Sequence, residues 1–261
     1  MIIGCIMALN SEMFVENALK SLSAVADRII VVDGGSIDST VDISRRYTDE
    51  VIVNKWTGNH SDQRNVYLKY IKKNYPKSWC FSLDSDETID QDKSAVIPEL
   101  CNTEKMKFYW FRRKWLVGLD PPTYISSPPH FPDWQARLFK VEEKTEFSGH
   151  IHEVLTGKSL ISKVRGIPYV RLFSRRVTNF DIFHLDLVLN SKAKRREKVE
   201  KYESIEQGSG GKDYYLPEDK SHNILVTPVK TRLILTDETI KNTKANEQYW
   251  KDFLKSETSD P

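Results

Sequence analysis

Four apolar runs open the chain, and each one stops at a polar residue. Ile2 to Leu9 ends at Asn10, and Val15, Ala18, Leu19, Leu22 and Val25 then recur at helical spacing. Arg28 to Val32 (RIIVV) breaks into Asp33, Gly34, Gly35, Ser36, Ile37, Asp38, Ser39 and Thr40. Two glycines let the backbone turn tightly there, and Asp38 or Ser39 is placed to cap a helix through Val41 and Ile43. A third short run, Glu50 to Asn54, leads through Trp56, Thr57 and Gly58 into a helical pattern from about Ser61 to Asn74. The fourth, with Trp79, Cys80, Phe81 and Leu83, halts at Asp84, Ser85, Asp86 and Glu87.

This βαβαβαβ order predicts an α/β fold: a mostly parallel sheet flanked by helices, with its binding crevice at the carboxyl ends of the strands. Asn10, Asp33 and Asp84 then share one edge. The turn after the first strand, ALNSEM, lacks GxGxxG, so a dinucleotide site of the Rossmann kind is not indicated and a pyrophosphate must be held by something else. Three acids in four residues repel one another. A divalent cation with hard oxygen ligands, Mg²⁺ or Mn²⁺, is the simplest compensation, and a DxD at a strand end suits a metal-phosphate site. The plainer reading is a helix whose first turn is acidic.

Further along, Gln91 to Leu100 reads as a short surface helix, and Lys107 to Val117 (KFYWFRRKWLV) as an aromatic strand with basic residues in its middle. Pro121, Pro122, Pro128, Pro129 and Pro132 crowd the segment from Asp120 to Trp134, with Tyr124, His130, Phe131 and Trp134 among them. Such a stretch is not expected to pair within a sheet; it is either scaffold or an aromatic wall for a sugar ring. After the strand QARLFK comes FSGHIHE. Its histidines, His150 and His152, are two residues apart and so do not fit a zinc-binding helix. Glu153 is a carboxylate able to take a proton, or an ordinary capping or surface acid. Val177 to Leu185 reads as a last strand, with His184 near its end. The helix expected from Leu187 to Tyr202 carries Lys192, Lys194, Arg195, Arg196, Lys198 and Lys201. This basic stretch, 192–201, is a solvated face or a patch for phosphate or an anionic membrane surface. QGSGGK then breaks the chain, and another helix is expected near Asp237 to Leu254.

At 261 residues and a net charge of +2, no global field marks a nucleic-acid binder. Cys5, Cys80 and Cys101 make neither a CxxC nor an even framework, and they read as thiols in a reducing compartment. The N-terminal run is too short for a signal peptide or membrane span, so a cytoplasmic protein is expected.

ALNSE, IIVVDGGSIDST, the W-x-G followed by QRN (Trp56, Gly58, Gln63, Arg64, Asn65), LDSDE, RLFK, FSGHIHE and the late His184 before a basic helix together resemble glycosyltransferase family 2. Within it, bacterial lipopolysaccharide-core glucosyltransferases are the nearest likeness. The resemblance covers about residues 1–205 and implies a GT-A domain, with a nucleotide half at about 1–100 and an acceptor half at about 101–205. Residues 206–261 form an extension outside it. It implies inverting transfer from a nucleoside diphosphate sugar, UDP-linked, to a glycan or lipid-linked glycan. By the same resemblance Asp33 meets the nucleobase, Arg64 the nucleotide, and Asp84 the ribose and metal. Asp86 ligates Mn²⁺ or Mg²⁺, His184 adds a metal or phosphate contact, and Glu153 is the base, with Asp133 next in line. Asn10, Gly35 and Ser85 complete the donor side. The alternatives are a binding module of the same shape without turnover, and a nucleotidyltransferase, which the lack of a glycine- and lysine-rich loop after the first strand disfavours.

Overall fold

The computed structural model describes residues 1–103, 105–149, 154–156, 163–164, 167–168, 173–208, 211–219 and 224–258. The opening pattern folds as read: β1 (Ile2–Ala8), α1 (Val15–Ser23), β2 (Arg28–Asp33), α2 (Thr40–Arg45), β3 (Val51–Val53), α3 (His60–Asn74) and β4 (Trp79–Asp84). β1 lies parallel between β2 and β4, and β3 adds parallel to β2. Because successive side chains leave a strand on opposite faces, Ile2 and Ile6 pack with Leu19 and Leu22 of α1. Ile3 and Cys5 pack with Tyr67, Leu68 and Ile71 of α3. The sheet is thus covered on both faces, as a parallel sheet requires.

Short elements follow: β5 (Glu87–Ile89) and α4 (Val96–Cys101). The chain then builds β6 (Phe108–Leu119), β7 (Pro122–Ile125), β8 (Asp133–Lys140), β9 (Glu146–Ser148), β10 (Val154–Thr156), β11 (Lys163–Val164), β12 (Ile167–Pro168) and β13 (Ser174–His184). β8 joins β4 antiparallel and β6 joins β8, so the sheet continues past its parallel half. β13 runs parallel to β6 and antiparallel to β5. The fold is therefore the expected α/β class, with helices flanking the parallel strands and a helix at the C-terminal end.

Two expectations are corrected. The proline-rich segment does enter the sheet: β7 pairs with β6 on one side and with β14 (Val226–Pro228) on the other. Pro122 opens that strand, a position where its missing N–H costs no ladder bond. The helix expected over Leu187–Tyr202 is two helices, α5 (Asp186–Leu189) and α6 (Lys192–Ile205). Ser191 caps α6 by accepting from the Lys194 N–H at 3.4 Å, so a new helix starts where the first would have continued.

The remaining chain forms α7 (Gly211–Tyr215) and α8 (Asp237–Thr258). α8 docks through Trp250, which is 1% exposed among Trp115, Val117, Ile125 and Leu187, its indole N–H bonded to Leu187 O at 2.9 Å. Asn17 of α1 holds the approach to α8, donating to Thr239 Oγ1 at 2.7 Å and accepting from Thr236 N at 2.8 Å.

Candidate functional site

The carboxyl ends of β1, β2 and β4 stand in register: Ala8 pairs with Asp33, and Met7 with Asp84. Asp33 is 1% exposed, and its carboxylate accepts from Gly35 N at 2.8 Å, Ser36 N at 2.9 Å and Ser36 Oγ at 2.5 Å. It braces its own loop. Gly35 takes φ +92°, a conformation open to glycine, while a side chain at Gly34 would meet Leu9 and Trp56 at 3.3 Å. The braced loop reaches back to the first turn, where Ile37 N donates to Asn10 Oδ1 at 2.9 Å and Asn10 N to Ser36 Oγ at 2.8 Å. Asp38 accepts from Glu12 N at 3.1 Å and, at 3.0 Å, from the N–H of Thr40, the first residue of α2, whereas Ser39 at the cap position makes no side-chain capping bond.

The QRN run of α3 is a three-way clamp. Gln63 donates to Asn54 O at 2.7 Å, beyond β3. Arg64 Nη2 sits 2.6 Å from Asp84 Oδ1 at the end of β4. Asn65 both donates to Phe147 O at 2.9 Å and accepts from Phe147 N at 2.8 Å, fixing β9. Ser61 adds a bond to Gly149 O at 2.6 Å.

Protein cations answer the acids of LDSDE. Asp84 receives Arg64 and both terminal nitrogens of Arg137, with Arg113 Nη1 at 3.7 Å. Burial alone pushes the Asp84 carboxyl up, but the guanidiniums of Arg137 and Arg64 hold it well below the usual carboxylate range. Glu87 is fully buried, 2.6 Å from Arg137 and 3.5 Å from Arg113. Burial, with the charge of Asp84 beside it, raises its carboxyl to about 7 against the pull of Arg137. Arg113 extends the chain of charges to Asp133 at 2.8 Å. Arg112, its neighbour on β6, faces the other side and pairs with Asp181 at 2.7 Å, as strand alternation requires.

Asp86 stands apart from the arginines. Its Oδ2 lies 3.4 Å from His184 Nε2 and 3.5 Å from Lys198 Nζ. Lys198 is anchored at 2.7 Å by Asp186, and the ring of Tyr215 lies 4.3 Å from its ammonium. His184 is 2% exposed against Trp115, ring centroids 4.0 Å apart. Burial, helped by Arg113, drives its pKa well below 6.5, so the imidazole is neutral. One carboxylate and one neutral imidazole converging on a cavity wall suit a divalent ion that takes its other ligands from phosphate and water. Ligation through Nε2 requires the proton on Nδ1, which would give up the long 3.4 Å bond that Nδ1 accepts from Asp186 N.

Arg64, Asp84, Asp86, Arg113, Asp133, Arg137, His184, Lys198 and Tyr215 line one cavity of about 1100 Å³. Its lining also includes Asn10, Asp38, Trp56, His60 and Ser85, and Trp110, Trp134 and Tyr214.

The sequence profile of the family described as "Glycosyl transferase family 2" matches residues 5–163, more than half the chain. The chain belongs to glycosyl transferase family 2. The lipopolysaccharide core biosynthesis glycosyltransferase LpsC of Rhizobium meliloti (strain 1021) is 29% identical over 120 residues, 43% of this chain and 42% of LpsC. The SPbeta prophage-derived glycosyltransferase SunS of Bacillus subtilis (strain 168) is 24% identical over 151 residues, 57% of this chain and 33% of SunS. The chain thus spans less than half the length of these curated relatives. Among solved structures, S. aureus TarS 1–349 is similar at a TM-score of 0.43 and 14% identity, covering 80% of this chain and 73% of that one.

Of the residues singled out in sequence, the family-2 cavity gathers Asn10, Arg64, Asp84, Ser85, Asp86, His184 and Asp133. Asp33 and Gly35 are not among its lining residues, and Asp33 braces the loop that presents Asn10 and Asp38. Of the proline-segment aromatics only Trp134 reaches the cavity, while Tyr124 and Phe131 pack together in a core cluster. Glu153 and the histidines of HIHE lie outside the described residues. The solvated-face reading of the basic stretch fails for Arg195, which is 1% exposed and paired with Glu218 at 2.6 Å, and for Lys198.

Sequence reasoning missed Arg137, Arg113 and Tyr215, and named Lys198 only as one of six basic residues in a stretch offered as a solvated face or a phosphate or membrane patch. The two arginines sat in runs already marked as strands, and strand alternation alone points such residues at one face; nothing local flagged Tyr215.

Proposed function

We propose that this chain transfers a sugar, with inversion, from a nucleoside diphosphate donor, UDP-linked, to a hydroxyl of a glycan or lipid-linked glycan. The observation that carries this reading is the convergence of Arg64, Asp84, Asp86 and His184, from three distant segments, on one cavity at the carboxyl rim of a parallel sheet. The donor nucleotide lies against Asn10, Asp38, Trp56 and Arg64. Asp86 and His184 hold Mn²⁺ or Mg²⁺, which when bound neutralises the charge of the departing diphosphate. Asp84, saturated by arginines, orients Arg64 and Arg137 along the donor.

The acceptor enters from the side of Trp110, Trp134 and Tyr214, whose rings cover the apolar face of a sugar. Inversion needs one base opposite the leaving group, and Glu153 is assigned that role. Asp133 is the weaker candidate. Its carboxylate accepts from Arg113 Nε at 2.8 Å, Trp115 Nε1 at 3.0 Å and Gln135 Nε2 at 2.6 Å. Although burial pushes its pKa up, Arg113 and these donors bring it below the ordinary value, which makes it a poor proton acceptor.

In α6, Lys192 and Arg196 pair with Asp219, and Lys194 and Lys201 line the cavity, so the basic stretch is assigned to the anionic substrate ahead of a membrane surface. Among the described residues no helix is long and apolar enough to cross a membrane. A panel of nucleotide sugars with Mn²⁺ and no acceptor tests the reading: slow release of nucleoside diphosphate from one donor is expected, and binding of a donor without any turnover would favour a binding module.

A further inference from the structure

Each arginine near the phosphate end already has a carboxylate partner: Arg64 has Asp84, Arg137 has Asp84 and Glu87, and Arg113 has Asp133. Lys198 also has one, Asp186, and of these cations it is the one that also reaches Asp86. Its ammonium is held at 2.7 Å by Asp186 Oδ2 and reaches Asp86 Oδ2 at 3.5 Å, the same oxygen that faces His184 at 3.4 Å. A divalent ion on that oxygen and Lys198 therefore compete for it. Tyr215, from beyond the family-2 match, covers the ammonium with its ring face at 4.3 Å, a favourable place for a cation. Asp186 is 1% exposed, and its Oδ1 has no hydrogen-bond partner among the described residues, so its charge is answered by Lys198 and by Asn190 Nδ2 at 3.1 Å.

We propose that Lys198 is the resident cation of the phosphate end: it holds Asp86 when the site is empty and turns to the donor diphosphate when that arrives, with or without a divalent ion. Asp186 is the fixed pivot, because it keeps the ammonium charged and within reach of either partner. The lysine is a binding group for the diphosphate oxygens and a competitor of the metal at Asp86. The inference rests on the donor reading above. It adds that diphosphate binding persists without metal and that metal affinity is held down by the chain itself.

Two titrations test it on the full chain, Mn²⁺ followed by electron paramagnetic resonance without nucleotide, and UDP followed by calorimetry in EDTA. Lys198→Met is expected to bind Mn²⁺ about tenfold more tightly and UDP in EDTA about tenfold more weakly, each the size of one charge-assisted contact. Lys198→Arg is expected to keep UDP binding in EDTA within about threefold of wild type. Because Lys198→Met leaves Asp186 as a buried charge, the double variant Lys198→Met/Asp186→Asn serves as the folded control and is expected to show the same two opposite shifts. If both affinities fall together the lysine is only structural, and if neither moves it does not touch the site; either result overturns the proposal. Failure of wild type to bind UDP even with Mn²⁺ strikes down the donor reading itself, whereas intact UDP binding with unaltered variants removes Lys198 alone.

Discussion

Arg64 Nη2 lies 2.6 Å from Asp84 Oδ1, joining the helix that precedes the fourth strand to the end of that strand. The arginine side chain is 4% exposed and the aspartate 22%, so the pair is sheltered on one side and open to the cavity on the other. Removing one partner of such a pair strands the other charge. Arg64→Met should cost roughly 3 kcal/mol, the low end for a broken buried pair because Asp84 keeps Arg137. Arg64→Lys should recover less than half of it, since an ammonium lacks the planar fork. Urea unfolding of the three proteins checks both values.

Glu87 gives the fold a pH signature. Its carboxyl is raised from 4.5 to about 7 by burial and by neighbouring Asp84. Between those values the folded protein keeps a proton that the unfolded chain has released. Stability from this group therefore falls as pH rises from 4.5 and levels off above about 7. Glu87→Gln has no such proton to lose. The difference in unfolding free energy between wild type and this variant should decline from pH 5 to pH 8, and a flat difference would show that Glu87 ionises normally.

Glu153→Gln should leave UDP binding intact and lower transfer by roughly two to four orders of magnitude, the usual contribution of a general base. Asp133→Asn should stay within about tenfold in transfer, because its carboxylate orients Arg113 and Trp115 and takes no proton. Steady-state rates of the two variants decide the assignment; the reverse ranking would move the base to Asp133.

The parallel half of the fold was legible because each strand is an apolar run cut by a polar residue, and topology alone brings Asn10, Asp33 and Asp84 to one rim. What was not legible depended on partners distant in sequence. Nothing near LDSDE announces that Arg113 and Arg137, from the antiparallel strands, will supply its counter-charge. The resemblance gave Asp33 a nucleobase contact, and nothing in the sequence announced that three donors in its own loop also reach its carboxylate. The basic helix looked solvated until Glu218 and Asp186, one beyond it and one before it, were brought against Arg195 and Lys198.

The segment after residue 205 joins the same core. Trp250→Ala should destabilise the whole chain by roughly 3–5 kcal/mol, the range for emptying a buried aromatic site. Thermal unfolding should stay a single transition, with α8 and the sheet melting together. A variant that loses helix first, with the rest unaffected, would mean that α8 docks without supporting the fold.

Asp86 is proposed to hold a diphosphate at the rim through a divalent ion. Calorimetric titration of UDP in the presence of Mn²⁺ against wild type and Asp86→Ala measures this most directly. Binding by wild type, and a loss of about tenfold or more in the variant with its fold intact, is the predicted result. Equal UDP affinity in the two proteins, or none in wild type, would contradict it.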